Sequence, residues 1–327
     1  MRQACRVARA APSQTEAEGE RATRSVASDR TAGVFFHHTA PVVRMRLARY
    51  DDDRLGLLTE NGTKVIDLTD RLGLESADPL IEYARGTFDA RPYVEADPDH
   101  EVDEVRLESP VRRPGKVIAA PLNYEDHVAE MEGFEMDIKE AGYFLKAPSS
   151  IVGPEGLVVL PFRDRRCDYE LELAFVMGDD VKDVTSEDAW DAILGYTILL
   201  DITVRGDQDR SNRKSYDSFT VVGPVLTTPE EVGDPHDLGM ELRLNGETRQ
   251  RANTGEMIYD CADLIQYASI GTTLETGDIV STGTPSGVGE LSDDDTIDAE
   301  IESIGSMTVP VEERDVSFAD VDVSKGE

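Results

Sequence analysis

The chain has few cysteines, and their spacing is irregular. Three occur in 327 residues, at Cys5, Cys167 and Cys261. An odd and widely spaced set argues against a disulfide framework and against the paired spacing of a zinc site. None of the three has a nearby histidine that would indicate a thiolate nucleophile. Sparse cysteines are typical of a reducing compartment, so we predict a cytoplasmic protein.

Long apolar runs and basic residues are scarce as well. No apolar run approaches the roughly 18 residues that a membrane span needs, so we expect no transmembrane helix. Lys and Arg number 33 against 67 Asp and Glu, which gives a formal net charge of −34. A field of this sign repels nucleic acid and anionic lipid, so we expect neither nucleic acid nor a membrane as a partner.

Lysine is especially rare. The lysines are Lys64, Lys116, Lys139, Lys146, Lys182, Lys214 and Lys325. Acidic residues are spread along the whole chain, as in salt-adapted proteins of halophiles, where high salt screens the self-repulsion. The simpler alternative is an acidic surface with no specific role. In either case, a lysine retained among so many acids is a candidate for a specific function.

Composition shifts and motif positions divide the chain into four predicted segments. They are an N-terminal extension (residues 1–44), a small N-terminal module (45–110), a main domain (111–315) and an acidic C-terminal tail (316–327). The extension holds seven Arg and four acidic residues, unlike the rest of the chain, and lacks the apolar stretch of a secretory signal. We therefore interpret Met45 as the natural start and the extension as disordered or non-native.

Alternating apolar residues after Met45 predict that the N-terminal module is α+β. Two short strands flank a turn at Asn61 and Gly62, and a helix over about 68–85 begins at Asp67 or Thr69.

The main domain is predicted to be mainly β with some α. Its apolar segments are short and separated by Gly, Pro, Asn and Asp, which favours a β-roll, sandwich or barrel over a doubly wound sheet. The predicted strands are 116–120, 157–161, 168–177, 193–204, 220–227, 239–245, 277–281 and 297–303. The predicted helices are 185–193 and 258–269.

Carboxylates interrupt two strongly apolar predicted strands. Side chains alternate between the faces of a strand, so Glu170 and Glu172 share one face, together with Asp168. Asp201 ends another, nearly uninterrupted apolar run. Acids in such surroundings are costly unless a positive group pairs with them. Oxygen ligands of this kind suit Mg²⁺, Mn²⁺ or Ca²⁺ and not Zn²⁺. The alternative is a half-exposed strand whose glutamates face solvent.

The loop after the strand 116–120 contains His127, one of five histidines. His127 and Glu130 are three residues apart, so a helical turn would bring them together. A carboxylate beside an imidazole orients it and raises its basicity, as a general base requires. The commoner alternative for such a pair is a surface salt bridge.

Cationic and amide side chains lie near the carboxylates in the sequence. Arg205 and Gln208 follow Asp201 by four and seven residues, and Lys146 and Lys214 are two of the rare lysines. If they converge, these groups would stabilise an oxyanion or enolate as charge develops. The alternative for each of them is a solvated side chain.

Taken in chain order, these segments resemble the fumarylacetoacetate hydrolase family over about residues 116–313. The matches keep a fixed order, which makes the resemblance far more specific than any one motif. The motifs are Asn-Tyr-x-x-His (123–127), Phe-Leu-Lys-x-Pro-Ser-Ser (144–150), Asp-Tyr-Glu-x-Glu-Leu (168–173), Gly-Tyr…Asp-x-Thr-x-Arg-x-x-Gln (195–208), Lys-Ser-x-Asp (214–217), Gly-Pro (223–224), Asn-Gly-Glu-x-x-Gln (245–250) and Thr-Gly-Thr-Pro-x-Gly-Val-Gly (282–289). One position departs from the pattern: similar proteins usually have Asp directly after the Arg of Asp-x-x-x-Arg, where this chain has Gly206.

The resemblance implies a fold, an assembly and a set of site residues. The fold would be a mixed β-sandwich roll with a compact barrel-like core, and the assembly a homodimer. Glu170, Glu172 and Asp201 would ligate Mg²⁺ or Mn²⁺, with Ca²⁺ a further option and no organic cofactor. The catalytic residues would be His127, Glu130 and Lys146, with His127 and Glu130 forming an acid–base dyad on a lid. The substrate-binding residues would be Asn123, Tyr124, Arg205, Gln208, Lys214 and Thr284.

The resemblance also implies an Mg/Mn-dependent enzyme that acts on a small-molecule 2-oxo acid. We expect hydrolysis or decarboxylation of a 2-oxo or 2,4-dioxo acid through a metal-bound enolate. Alternatives within the family are isomerases or hydratases of aromatic-degradation 2-oxo dienoates and dehydratases of 2-keto-3-deoxy sugar acids. A non-catalytic metal- or ligand-binding protein on the same scaffold is the alternative of another class.

Overall fold

The computed structural model describes residues 43–130 and 138–322, which fall in one compact unit. Residues 1–42, 131–137 and 323–327 lie outside this range. The N-terminal extension, most of the lid and the end of the acidic tail therefore stay predictions.

Strands make up most of the regular structure. In chain order they are β1 (Arg46–Tyr50), β2 (Arg54–Leu58), β3 (Lys64–Asp67), β4 (His100–Glu101), β5 (Leu107–Glu108), β6 (Val117–Ala119), β7 (Phe144–Lys146), β8 (Ile151–Val152), β9 (Val158–Leu160), β10 (Cys167–Tyr169), β11 (Leu171–Met177), β12 (Ile193–Asp201), β13 (Thr203–Val204), β14 (Thr220–Thr227), β15 (Gly239–Leu244), β16 (Glu247–Asn253), β17 (Ile279–Ser281), β18 (Gly289–Leu291), β19 (Thr296–Ile301) and β20 (Gly305–Glu313).

The α-helices are short. They are α1 (Leu68–Leu72), α2 (Pro79–Ala84), α3 (Glu125–Glu130), α4 (Ile138–Ala141), α5 (Ser186–Ala189), α6 (Arg210–Arg213), α7 (Pro229–Val232) and α8 (Cys261–Ser269). Within residues 43–130 and 138–322, none has the length and apolar character that crossing a bilayer requires.

One large sheet carries the candidate site. Its strands run in the order β4-β3-β2-β1-β14-β12-β11-β17-β6-β7, with β5 paired to β1 and β8 to β14. A three-stranded sheet has the order β13-β10-β18, and a five-stranded sheet the order β16-β15-β19-β20-β9. None of these sheets closes on itself within the described part of the chain. The predicted mainly β class is confirmed, with open sheets at its core.

The N-terminal strands extend the large sheet, since β1 pairs antiparallel with β14. Leu57 and Ile66 pack in one hydrophobic cluster with Val176 and Leu199 of the central strands. Burying an aliphatic side chain of this size contributes roughly 1.5–3 kcal/mol, so the N-terminal strands and the central sheet stabilise each other. The boundary between residues 110 and 111 stays a prediction.

The single helix predicted over about 68–85 is wrong, because two helices occupy this segment. Asp67, one of the two predicted starts, caps the N-terminus of α1: its carboxylate accepts a hydrogen bond from the Asp70 N–H at 3.1 Å. It ends at Gly73, whose φ of 62° lies in the left-handed region that glycine adopts without steric cost. Pro79 then opens α2, since a proline at the first helical position loses no hydrogen bond.

The register of β11 and β12 brings acidic side chains onto one face. Glu172 lies opposite Leu199 in this antiparallel pair, and directly opposed residues project to the same side of a sheet. Asp201 lies two residues beyond Leu199 and therefore projects to that side as well. Just before β11, the Glu170 carbonyl accepts a hydrogen bond from the Asp201 N–H at 2.9 Å. The pairing thus places three acidic residues at the end of β12.

Candidate metal centre

The three carboxylates singled out in the sequence come together. One carboxylate oxygen from each of Glu170, Glu172 and Asp201 lies within 4.8 Å of the others. The three residues are 6%, 1% and 0% exposed, respectively. The alternative in which the two glutamates face solvent is therefore wrong. Buried carboxylates at this separation repel one another, and hard oxygen donors of this kind fit Mg²⁺, Mn²⁺ or Ca²⁺.

Two buried lysines pair with this carboxylate cluster. Lys214 Nζ donates to Glu170 Oε2 at 2.6 Å and to Asp201 Oδ2 at 2.7 Å. Lys146 Nζ donates to Asp201 Oδ1, to the Lys214 carbonyl at 2.6 Å and to the Phe219 carbonyl at 2.9 Å. The structure thus brings both of these rare lysines to the predicted ligands.

Arg205 joins a fourth carboxylate to the cluster. Its Nε donates to Asp168 Oδ2 at 2.6 Å and its Nη2 to Glu170 Oε1 at 3.2 Å. Arg166 Nε donates to the other oxygen of Asp168 at 2.6 Å. Charge-assisted hydrogen bonds of this kind fix the plane of a guanidinium, so Asp168 orients Arg205 against Glu170.

Burial and charge shift the pKa values in the cluster. Burial, reinforced by the negative charge of Asp201, raises the pKa of Glu172 to about 8. Burial also disfavours the charged form of Asp201, but Lys146 and Lys214 outweigh it and hold the pKa of Asp201 below its usual range. Burial lowers the pKa of Lys146, whereas Asp201 and Glu170 keep the pKa of Lys214 raised in spite of burial. Burial thus disfavours the charged form of Glu172, and a bound divalent ion would stabilise that form.

The end of β17 and the loop after it hold Glu172 in place. Ser281 Oγ and the Gly283 N–H donate to Glu172 Oε2 at 2.5 Å and 2.9 Å. Gln250 Nε2 in turn donates to Thr284 Oγ1 at 2.8 Å, which ties this loop to β16. Ser281 and Gln250 are missing from the predicted site residues, although Gln250 ends the Asn-Gly-Glu-x-x-Gln motif.

Asn123 and Tyr124 are buried and fasten neighbouring segments. Asn123 Nδ2 donates to the carbonyls of Tyr259 and Thr282 at 2.9 Å and 2.8 Å, and its Oδ1 accepts from the Tyr259 N–H at 2.8 Å. The Tyr124 hydroxyl donates to Met240 Sδ at 3.4 Å. The Asn123 contacts favour a role in positioning the loop that begins at Thr282. Direct contact of Asn123 or Tyr124 with a substrate stays a prediction.

His127 and Gln208 are less buried than the carboxylates of the cluster. His127 is partly buried on α3, which ends at Glu130. The Glu130 side chain lies outside the described part, so the predicted dyad stays a prediction. Gln208 is exposed, and its Oε1 lies 2.5 Å from the point where a Cβ on residue 206 would stand. Gly206 therefore permits a Gln208 position that an Asp at 206 would displace.

The chain is thus a mainly β protein with a buried cluster of carboxylates whose oxygens suit a divalent metal. The sequence matches the family profile described as Fumarylacetoacetate (FAA) hydrolase C-terminal over residues 116–312. The chain belongs to the fumarylacetoacetate hydrolase family, as the motifs predicted.

Relatives of known activity and structure cover most of the chain. It is 40% identical over 287 residues to the maleylpyruvate hydrolase of Aquipseudomonas alcaligenes, covering 82% of this chain and 99% of the relative. It is 36% identical over 287 residues to a human mitochondrial oxaloacetate tautomerase, and the match covers 81% of this chain and 89% of the relative. A solved maleylpyruvate hydrolase from Sphingobium sp. SYK-6, in complex with manganese(II) and pyruvate, matches with a TM-score of 0.73 at 39% identity over 82% of this chain and 99% of that one. The predictions of a metal-dependent enzyme of this family and of a divalent metal cofactor are confirmed.

Proposed function

We propose that the chain hydrolyses a carbon–carbon bond of a 2,4-dioxo acid of the acylpyruvate class, with Mg²⁺ or Mn²⁺ held by Glu170, Glu172 and Asp201. The observation that carries this proposal is the convergence of three buried carboxylate oxygens within 4.8 Å. The similarity to maleylpyruvate hydrolases, one of them solved with manganese(II) and pyruvate, supports a substrate that releases pyruvate.

The cationic side chains around the cluster suit an anionic substrate. When bound, the metal would act as a Lewis acid on the oxygens of a 2-oxo acid. Arg205 and Lys214 both contact Glu170, so they place positive charge beside the proposed metal site. They would stabilise the enolate charge that develops as the carbon–carbon bond breaks. Because Asp168 already orients Arg205, little reorganisation of its guanidinium accompanies the reaction.

Hydrolysis also requires an activated water, and we assign this step to His127, oriented by Glu130. His127 takes a proton from the water as its oxygen attacks the 4-oxo carbon. The bond between C3 and C4 then breaks, and its electron pair stays on C3 as the enolate of pyruvate. The acyl half leaves as a carboxylic acid, and the proton on His127 passes to C3, which restores the base.

A keto–enol proton shift on oxaloacetate is the second candidate function. The similarity to the human mitochondrial oxaloacetate tautomerase favours it. This reaction needs the same stabilisation of enolate charge and a proton shuttle, but it consumes no water. Decarboxylation of oxaloacetate would use the same cationic groups and needs neither water nor a base at C4.

A substrate screen with Mn²⁺ tests the proposed function directly. We expect pyruvate release from maleylpyruvate, fumarylpyruvate or acetylpyruvate, because each has the 2,4-dioxo arrangement that the mechanism needs. Oxaloacetate, tested for tautomerisation and decarboxylation, serves as the comparison substrate. Turnover should stop on adding a chelator and return with excess Mn²⁺. Full turnover in the chelator, or turnover of none of these acids by the Mn²⁺-loaded protein, would contradict the proposal.

Replacing Ser281 by Ala is expected to weaken Mn²⁺ binding without abolishing it. The Ser281 hydroxyl donates to Glu172 Oε2, and losing a group that orients a metal ligand costs about 10–100-fold in affinity. Titration calorimetry with Mn²⁺ measures the change, and Ser306→Ala at an exposed position of β20 is the matched control. Unchanged affinity in Ser281→Ala would show that the Gly283 N–H orients Glu172 by itself.

The assembly and location belong to the same proposal. We propose a homodimer in the cytoplasm, as the family resemblance and the sparse cysteines suggest. Cys167 and Cys261 are free and buried, which is compatible with a reducing compartment. Light scattering coupled to gel filtration would contradict the dimer if it returned the mass of one chain.

A further inference from the structure

Lys214 differs from the other cations of the site in what its ammonium contacts. Its Nζ lies between two of the three proposed metal ligands, at 2.6 Å from Glu170 Oε2 and 2.7 Å from Asp201 Oδ2. Its side chain is 7% exposed. One positive charge thus bridges two carboxylates that a divalent ion would need.

Lys146 is held in a different way. Its ammonium has three protons, and it donates to Asp201 Oδ1 and to the backbone carbonyls of Lys214 and Phe219. Two of these acceptors are backbone atoms. The Phe219 carbonyl also accepts from the Ile202 N–H at 3.0 Å, but the buried Lys214 carbonyl would lose its partner if Lys146 left. Lys146 therefore positions Asp201 and clamps the backbone of residue 214.

The Lys214 side chain, by contrast, is held mainly by charge. Besides the two carboxylates, its Nζ lies 5.1 Å from the centroid of the Phe144 ring, within the range of a cation–π contact. Its backbone is fixed separately: its N–H donates to the Arg210 carbonyl at 3.1 Å, and its carbonyl accepts from Lys146. The ammonium hydrogen-bonds to carboxylates and to no backbone carbonyl of the described residues, so leaving them would break no backbone hydrogen bond.

We propose that the Lys214 ammonium is a displaceable counter-ion of the metal site. It neutralises Glu170 and Asp201 in the metal-free protein, and a divalent ion drives it off these carboxylates because two cations repel each other at such short range. The released ammonium then becomes available to the negative charge of the substrate. This inference rests on the proposed function, in which Glu170, Glu172 and Asp201 bind the metal.

Replacing Lys214 by Met tests the competition. The variant keeps the length and apolar stem of the side chain but removes its charge. Mn²⁺ affinity at pH 8 should rise by about tenfold or more, a size usual for coupled binding events, because the ion no longer displaces an ammonium. The melting temperature of the metal-free variant should fall, and Mn²⁺ should raise it by more than in the unaltered protein. Lys182→Met, at an exposed position, is the matched control. Equal or weaker Mn²⁺ affinity in Lys214→Met would overturn the proposal.

Lysine labelling of the unaltered protein gives a second readout that does not depend on a variant. Acetylation with and without Mn²⁺, followed by mass spectrometry, reports how freely each ammonium reacts. Lys214 should react several-fold faster with Mn²⁺ present, whereas Lys146 should stay unreactive and serve as the internal reference. Labelling of Lys214 that is unchanged or slower with Mn²⁺ would also overturn the proposal.

The two proposals fail in different ways. If the unaltered protein does not bind Mn²⁺ at all, the proposed metal site itself is wrong, and the counter-ion role falls with it. If the unaltered protein binds Mn²⁺ while Lys214→Met shows the same affinity, the metal site stands and the counter-ion role alone is wrong.

Discussion

Replacing Glu172 by Gln is expected to abolish Mn²⁺ binding and turnover while the metal-free protein stays folded. The amide has nearly the shape of the carboxylate, and its oxygen can still accept from Ser281 Oγ and the Gly283 N–H. The change removes one full charge from an all-oxygen ligand set. We therefore expect the Mn²⁺ affinity to fall by more than about 100-fold. This exceeds the loss usual for a residue that only orients a metal ligand. Titration calorimetry with Mn²⁺ and an assay of pyruvate release measure the two losses.

The same substitution should leave the melting temperature of the metal-free protein nearly unchanged. Burial raises the pKa of Glu172 to about 8, so near neutral pH this carboxyl is mostly protonated in the metal-free protein. A neutral amide then replaces a mostly neutral carboxyl. Glu312→Gln, at an exposed position of β20, is the control and should change neither binding nor stability. Full activity in Glu172→Gln would show that Glu172 is not a metal ligand. Loss of the folded structure would show that Glu172 is needed for folding.

The buried carboxylate cluster was predictable because its residues break a strong pattern. Glu172 and Asp201 interrupt runs of apolar residues that must form buried strands, and the period of two assigns each side chain to a face. Ser281 was not predictable in this way. It lies 109 residues from Glu172 in the chain, and nothing local distinguishes it from any other serine near the end of a strand. Contacts of this range depend on the pairing of β11 with β17, which the sequence pattern does not determine.

The missed strands have a similar physical reason. β16 exposes most of its side chains and consists largely of polar residues, so it has no apolar alternation that would predict a strand. β20 does alternate, with Met307, Val309 and Val311 buried, but Pro310 stands between two of them. Proline is depleted in strands because it cannot donate to the ladder. Sheet pairing overrides these local preferences once β15 and β19 provide neighbours.

Sequence spacing alone could not distinguish the roles of Lys146 and Lys214. Both Lys146 and Lys214 were candidates because lysine is rare in this chain, and both reach Asp201. Their different contacts, two backbone carbonyls for Lys146 and two carboxylates for Lys214, appear only when the segments 144–146 and 214–219 meet. A direct chemical role of Lys146 stays a prediction, and the geometry favours Lys214 as the lysine that responds to a ligand.

Replacing His127 by Ala is expected to leave Mn²⁺ affinity unchanged and to slow hydrolysis of an acylpyruvate by about 10²–10⁴-fold, the usual contribution of a general base. The attacking water must lose a proton, and the carboxylates that bind the ion are not available to accept it. His127 is the residue assigned to that role. Decarboxylation of oxaloacetate needs no such water, so the same variant should retain it. Steady-state rates with both substrates, together with a Mn²⁺ titration, separate the two steps.

The contrast between the two reactions is the test of the assignment. A variant that loses both equally, with Mn²⁺ still bound, would show that His127 acts on enolate formation or on substrate placement instead of on water. A variant that keeps both would remove His127 from the mechanism, and the base for hydrolysis would have to come from another residue. His100→Ala, in the N-terminal module, controls for the general effect of losing a histidine and should change neither rate. Loss of hydrolysis alone would identify the water as the reactant that His127 activates, and it would favour an acylpyruvate hydrolase over a tautomerase.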